Sequence, residues 1–171
     1  MLDTSKVTPF LNDGDIICRL GDRIWSSYFK NLSLVDKRFS HLGVVRIRDG
    51  KISVINAEGQ APGRQDFVNE VSLEEFFQIA RSVGIYRINS VSGTLISDVA
   101  MDYKGYPFNW EFDLKNESKI YCTQLLYVIL KRIAPEIVLK TIFVNEVGKE
   151  IVPLEAISNS PDFNEIIYVT Y

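Results

Sequence analysis

At 171 residues, 46% of them hydrophobic and 24% charged, the chain has the length and balance of one soluble domain built around one core. A formal charge of −3, with Lys and Arg scattered along the sequence, provides no basic field to collect a nucleic-acid backbone, and argues against nucleic acid as a partner. Cys18 and Cys122 are too few for a disulfide framework and lack the spacing of a zinc site, so no metal and no other cofactor is expected.

Met1 to Asp13 carry Asp3, Lys6 and Asp13 and no continuous apolar run, so no leader or membrane span is expected there. The chain reads as cytoplasmic as it stands, and as periplasmic or secreted if a leader has been removed. No repeat, low-complexity tract or Pro/Gly-rich linker divides residues 1–171, which points to a single domain. Asp15 to Leu20, after a turn at Gly14, reads as a first strand, and Ile24 to Leu32 as a short helix followed by an irregular stretch from Ser33 to Phe39.

The clearest local signal comes next. His41 to Arg48 and Lys51 to Glu58 are strand-like runs flanking Asp49-Gly50, a pair that tolerates positive φ and suits a two-residue type I′ hairpin. That turn sets Arg48 against Lys51, Ile47 against Ile52, Val45 against Val54, Gly43 against Asn56 and His41 against Glu58. His41 then has a carboxylate opposite and an amide one diagonal step away. Ser72 starts a helix with an acidic first turn that runs towards Ala80. A strand follows over Val83 to Ile88, then a helix over Leu95 to Tyr103 that Gly105 to Asn109 breaks. Apolar residues at Leu125, Leu126, Ile129, Leu130 and Ile133 mark a mostly buried helix, with Lys131 and Arg132 at its C-terminal end and Pro135 beyond. Strands over Glu150 to Leu154 and Ile166 to Tyr171 surround an Asn-Ser-Pro-Asp turn. Strands and helices without βαβ alternation point to an α+β fold with an antiparallel sheet or barrel packed against helices.

Cys122 falls where that buried helix begins, and there the unpaired amides and the macrodipole favour a thiolate. A cysteine nucleophile requires a base in reach and a third group to orient the base. His41 is the chain's single histidine and must be that base if the mechanism applies, with Asn56 and Glu58 as candidate orienters. The plainer readings are a small packed Cys122 and a His41 that is a satisfied polar residue. Cys18, in an apolar strand with no helix terminus beside it, reads as core.

Five segments in order carry a resemblance: Gly14-Asp15-Ile16-Ile17, Ser40-His41-Leu42-Gly43-Val44-Val45, Val54-Ile55-Asn56-Ala57-Glu58-Gly59, Gly105-Tyr106-Pro107-Phe108-Asn109 and Tyr121-Cys122-Thr123-Gln124-Leu125-Leu126. Together they resemble the YiiX/YebB-like hydrolases among the NlpC-type cysteine peptidases, from about residue 14 to the end of the chain. The resemblance implies a circularly permuted papain-like fold, with the histidine strand before the cysteine helix. It makes Cys122 the nucleophile, His41 the general base and Asn56 the third member, where many relatives carry Glu. Cys122-Thr123-Gln124 likewise stands where the family usually has Cys-Ser-Glu. The hairpin register favours Glu58 as the orienter and the motif alignment favours Asn56.

Asp15 matches the family's early Gly-Asp motif and is a candidate substrate contact, although a turn or cap role explains it as well. Tyr121 either lines the pocket or packs in the core. Phe108, Trp110 and Phe112 alternate with polar residues as one apolar wall. The implied reaction is amide cleavage through a thioester, on a peptide or peptidoglycan stem or on a lipid amide or ester. The departures at Asn56 and Gln124 leave a binding module on the same fold as the other reading.

Overall fold

The computed structural model describes residues 3–22, 24–60 and 66–170; Met1, Leu2 and Tyr171 of the terminal readings lie outside them. After two 3₁₀ turns, Thr4–Lys6 and Thr8–Phe10, come β1 (Ile16–Gly21), α1 (Ile24–Leu32), β2 (His41–Arg48), β3 (Lys51–Ala57), β4 (Val68–Ser72), α2 (Leu73–Phe77) and β5 (Ala80–Arg87). Then follow α3 (Gly93–Asp102), α4 (Cys122–Ile133), β6 (Ile142–Val144), β7 (Lys149–Ile151), α5 (Glu155–Ser158) and β8 (Asn164–Thr170). Six strands form one antiparallel sheet in the order β4-β3-β2-β1-β5-β8, and β6 and β7 make a separate ribbon. The sheet is open, ending at β4 and β8, so the barrel alternative falls away.

The hairpin forms as its turn residues dictate. Asp49 and Gly50 both take positive φ, 51° and 74°, and the ladder runs from Arg48 opposite Lys51 to Val44 opposite Ile55. Alternation along the strands then sorts side chains to two faces. Ile16, Cys18, Leu42, Val44, Ile55 and Ala57 pack into a cluster with Leu125, Leu126 and Ile129 of α4. Ile17, Val45 and Val54 pack on the other face with Leu73, Phe76 and Phe77 of α2. Ser72 caps α2 by accepting the Glu75 N–H at 3.1 Å. The strands β4 and β6 and the helix α5 are additions to the elements legible in the sequence, and α2 is shorter than the predicted helix, since Ala80 at its expected end opens β5.

Two tertiary ties hold loops against the sheet and its neighbours. A Cβ on Gly93 would lie 1.9 Å from the Asp13 carbonyl oxygen and one on Gly14 2.2 Å from that of Gly93, so these two backbones touch where only glycine fits. Glu155, 8% exposed, accepts the backbone N–H groups of Leu34, Val35 and Asp36 at 2.9, 2.7 and 3.0 Å and so pins the loop between α1 and β2. Burial alone would raise the Glu155 pKa, but the three donors outweigh it and hold it below the ordinary carboxylate value. A depressed folded-state pKa contributes stability above the unfolded value of about 4.3 and loses it as pH falls through the folded one. Glu155→Gln is therefore expected to cost about 1–3 kcal/mol at pH 7 and much less at pH 3, read from urea midpoints. An equal difference at both pH values would contradict the clamp.

Candidate active site

His41 opens β2 and Asn56 lies near the end of β3, both on the sheet face that α2 covers. The ring Nε2 of His41 is 2.9 Å from Asn56 Oδ1. An amide oxygen accepts only, so Nε2 carries the proton and the neutral ring's basic lone pair belongs to Nδ1. This is the diagonal contact, and Gly43 makes room for it. A Cβ at Gly43 would sit 2.4 Å from Val54 Cγ1 and 3.1 Å from Asn56 Cβ. The His41 ring also lies against Phe76, centroids 5.7 Å apart at 31°.

Cys122 comes from the opposite face. It is the first residue of α4, whose start is fixed by Gln124: its Oε1 accepts the Tyr121 N–H at 3.2 Å and an Asn109 N–H at 2.9 Å. The Gln124 amide donates to the carbonyls of Asp113 and Asn116. A carboxylate there would face those two carbonyls with no proton to give, which accounts for glutamine at this position. Thr123 Oγ1 donates to the Val152 carbonyl at 2.6 Å and ties the same turn to the chain's later segment.

The end of the sheet is where the two faces meet. Cys122 and His41 line one cleft with Arg19, Ser26, Phe29, Ser40, Glu58 and Phe108, and they are 5% and 8% exposed. The cleft offers about 40 Å³, room for a small group such as a carbonyl rather than a whole substrate. Burial pushes the Cys122 thiol up to about 11, with the Glu58 charge adding to it, while the backbone N–H groups of Thr123, Leu42 and Cys122 itself pull the other way. The helix terminus thus acts as the sequence suggests, but desolvation wins, and the resting sulfur is a thiol.

The remaining sequence-derived residues separate. Glu58 joins the cleft wall, where its carboxylate pairs with Arg19. Asp15 is not brought here. It is 1% exposed at the other end of β1, bound by Arg87 through Nε at 2.7 Å and Nη2 at 2.8 Å and by the Asn12 N–H, which is the turn and cap role. Tyr121 is not a lining residue of the cleft either: 2% exposed, it packs on Phe112 with ring centroids 5.4 Å apart, and its hydroxyl accepts the Val152 N–H. Phe108, Trp110 and Phe112 form a ring cluster instead of a strand face, since Phe112 takes a φ of 51° and Phe108 makes only an isolated bridge with Ile120. Arg19 is the cleft residue that the sequence reading passed over. Its signal was a charge sharing a covered strand face with Ile17.

A histidine strand inside an antiparallel sheet, followed later in the chain by a buried helix that starts with cysteine, defines a permuted papain-like fold. The chain belongs to the family described as "Permuted papain-like amidase enzyme, YaeF/YiiX, C92 family", whose model matches residues 11–158. Among solved structures it is similar to that titled "Crystal structure of metalloprotein yiiX from Escherichia coli O157:H7", with a TM-score of 0.76 and 16% identity. The match covers 94% of this chain and 98% of that one, and at this identity it shows the fold. No curated protein matches the chain. Among the described residues no three His, Cys, Asp or Glu side chains gather in a group able to hold a metal ion, and no helix is long and apolar enough to cross a membrane.

A thiol held near 11 sets an expectation for chemical modification. The rate at which iodoacetamide alkylates Cys122 should keep climbing about tenfold per pH unit between pH 8 and pH 10, because the thiolate fraction does. A rate that levels off below the ordinary thiol value of about 8.5 would show a resting ion pair instead.

Proposed function

We propose that this protein hydrolyses an amide bond through a thioester, with Cys122 as nucleophile, His41 as general base and Asn56 as the group that orients His41. The observation that carries the reading is the 2.9 Å contact between His41 Nε2 and Asn56 Oδ1 in a residue pair adjoining the cleft that Cys122 and His41 share. With Nε2 committed to Asn56, Nδ1 takes the thiol proton as Sγ attacks the amide carbon. The negative charge moves to the carbonyl oxygen, towards which the Cys122 backbone N–H at the start of α4 is a donor. Collapse breaks the C–N bond, and the imidazolium returns its proton to the departing amine. Water, deprotonated by His41, then attacks the thioester, and the released sulfur takes that proton back.

The substrate class we favour is a peptide or peptidoglycan stem amide, in keeping with membership of an amidase family. Phe29 and Phe108 in the cleft wall favour one second reading, a lipid amide or ester whose acyl chain lies on them.

A screen over peptides, cell-wall fragments and acyl lipids with Cys122→Ala as the blank tests the assignment. Hydrolysis is expected in the wild type and not in the blank, and brief reaction should leave an acyl adduct on Cys122 visible by intact mass. His41→Ala should reduce kcat by about 10²- to 10⁴-fold. Asn56→Ala should reduce it less, since the ring remains but its orientation is lost. Hydrolysis that survives Cys122→Ala would overturn the assignment.

A further inference from the structure

Arg19 has no part in the reaction as written above, yet it is 2% exposed and lines the cleft. Strand alternation puts it on the face covered by α2, where β1 otherwise presents Ile17. An apolar side chain of similar length would fill that place without the cost of removing a guanidinium from water, and a buried ion pair is weak evidence for stability. Its presence calls for another reason.

The surroundings of the guanidinium are specific. Nη1 donates to the Phe76 carbonyl at 2.7 Å, Nη2 donates to Glu58 Oε1, and Cζ lies 4.4 Å from the centroid of the Phe76 ring. The His41 ring lies against that same phenyl group, and Arg19 stands directly opposite His41 in the ladder of β1 and β2. Arg19, Glu58, His41 and Cys122 therefore line one cleft, and among its described lining residues Arg19 is the cation. Glu58 is the wet end of the pair, with its side chain 30% exposed against 2% for Arg19.

We propose that Arg19 is a positioning residue of the amide hydrolysis argued above: it holds the Glu58 carboxylate in the cleft wall and offsets that carboxylate's field at the Cys122 sulfur. The proposal rests on Cys122 being the nucleophile. As the proton passes from Cys122 to His41, a thiolate and an imidazolium appear together. Asn56 orients the ring but carries no charge. Glu58 favours the imidazolium and opposes the thiolate, and the bound Arg19 offsets part of that opposition, so the thiolate is penalised less than it would be by Glu58 alone. Among the described residues the other ionisable groups about the sulfur are Cys18 of β1 and Tyr121 ahead of α4, and burial raises both well above their ordinary values, so they stay uncharged.

A charge cycle read by alkylation tests this without any substrate. Iodoacetamide rates at Cys122 are measured at pH 9, where the rate follows the thiolate fraction, for the wild type, Arg19→Met, Glu58→Gln and the double variant. Arg19→Met should react about threefold slower or more, Glu58→Gln faster, and the double variant within about twofold of wild type. Arg19→Lys, which keeps the charge, should recover part of the loss. An unchanged rate in Arg19→Met, or a double variant as slow as Arg19→Met, would overturn the proposal and leave Arg19 as packing. If Arg19→Met does not fold, the comparison of Glu58→Gln with the double variant decides. The double variant should be slower, and equal rates would mean that Arg19 exerts no field at the sulfur. Failure of this cycle with Cys122-dependent hydrolysis intact removes only the role of Arg19, whereas hydrolysis that survives Cys122→Ala removes the reaction it serves.

Discussion

The antiparallel pairing of β2 with β3 is the constraint on which the cleft depends. Because side chains alternate with a period of two, a slip of one residue between the strands would leave His41 and Asn56 on opposite faces of the sheet. Asp49 and Gly50 prevent that slip by closing the hairpin with a turn whose positive φ values admit only one register. The absence of a side chain at Gly43 then lets Asn56 reach diagonally to the imidazole. Everything else at the cleft is brought to this ribbon: α4 from one face, Arg19 and Phe76 from the other.

The electrostatics of the cleft follow from how dry it is. Three backbone N–H groups near the sulfur favour a thiolate, but removing the sulfur from water costs more than they return. The protein answers with neutral groups where charges are common in such sites. Asn56 Oδ1 meets the imidazole Nε2 and Gln124 fixes the helix start, and both are amides with oxygens that accept and nitrogens that donate. Among the described residues that line the cleft, Arg19 and Glu58 carry the charges and pair with each other.

The hairpin, its register and the cysteine helix were legible because each is specified by residues close in sequence: a turn dipeptide, an alternating pattern, a run at helical spacing. The choice between Asn56 and Glu58 as the partner of His41 was not. It depends on Gly43 leaving space and on Arg19 drawing Glu58 aside, and both are contacts between strands. Asp15 looked like a site residue because its motif resembles that of a family, and its actual partner, Arg87, lies far along the chain in β5. The β4 strand escaped notice because Val68 to Ser72 is a polar edge strand without a continuous apolar run. Tyr121 and the aromatic cluster carried no local sign of whether they face a cleft or a core.

The burial of Cys122 has a consequence for the life of the chain before it is native. The sulfur acquires its raised pKa only when α4 docks against β2, a contact between segments distant in sequence, whereas the hairpin's own contacts are local. Until then the thiol has its ordinary value of about 8.5 and is open to oxidants. Since the folded-state value lies above the unfolded one, this group's contribution to stability is complete below about 8.5 and fades as pH climbs towards 11. Folding thus shields the residue from adventitious oxidation at neutral pH, and the nascent or transiently opened polypeptide is the form that ages.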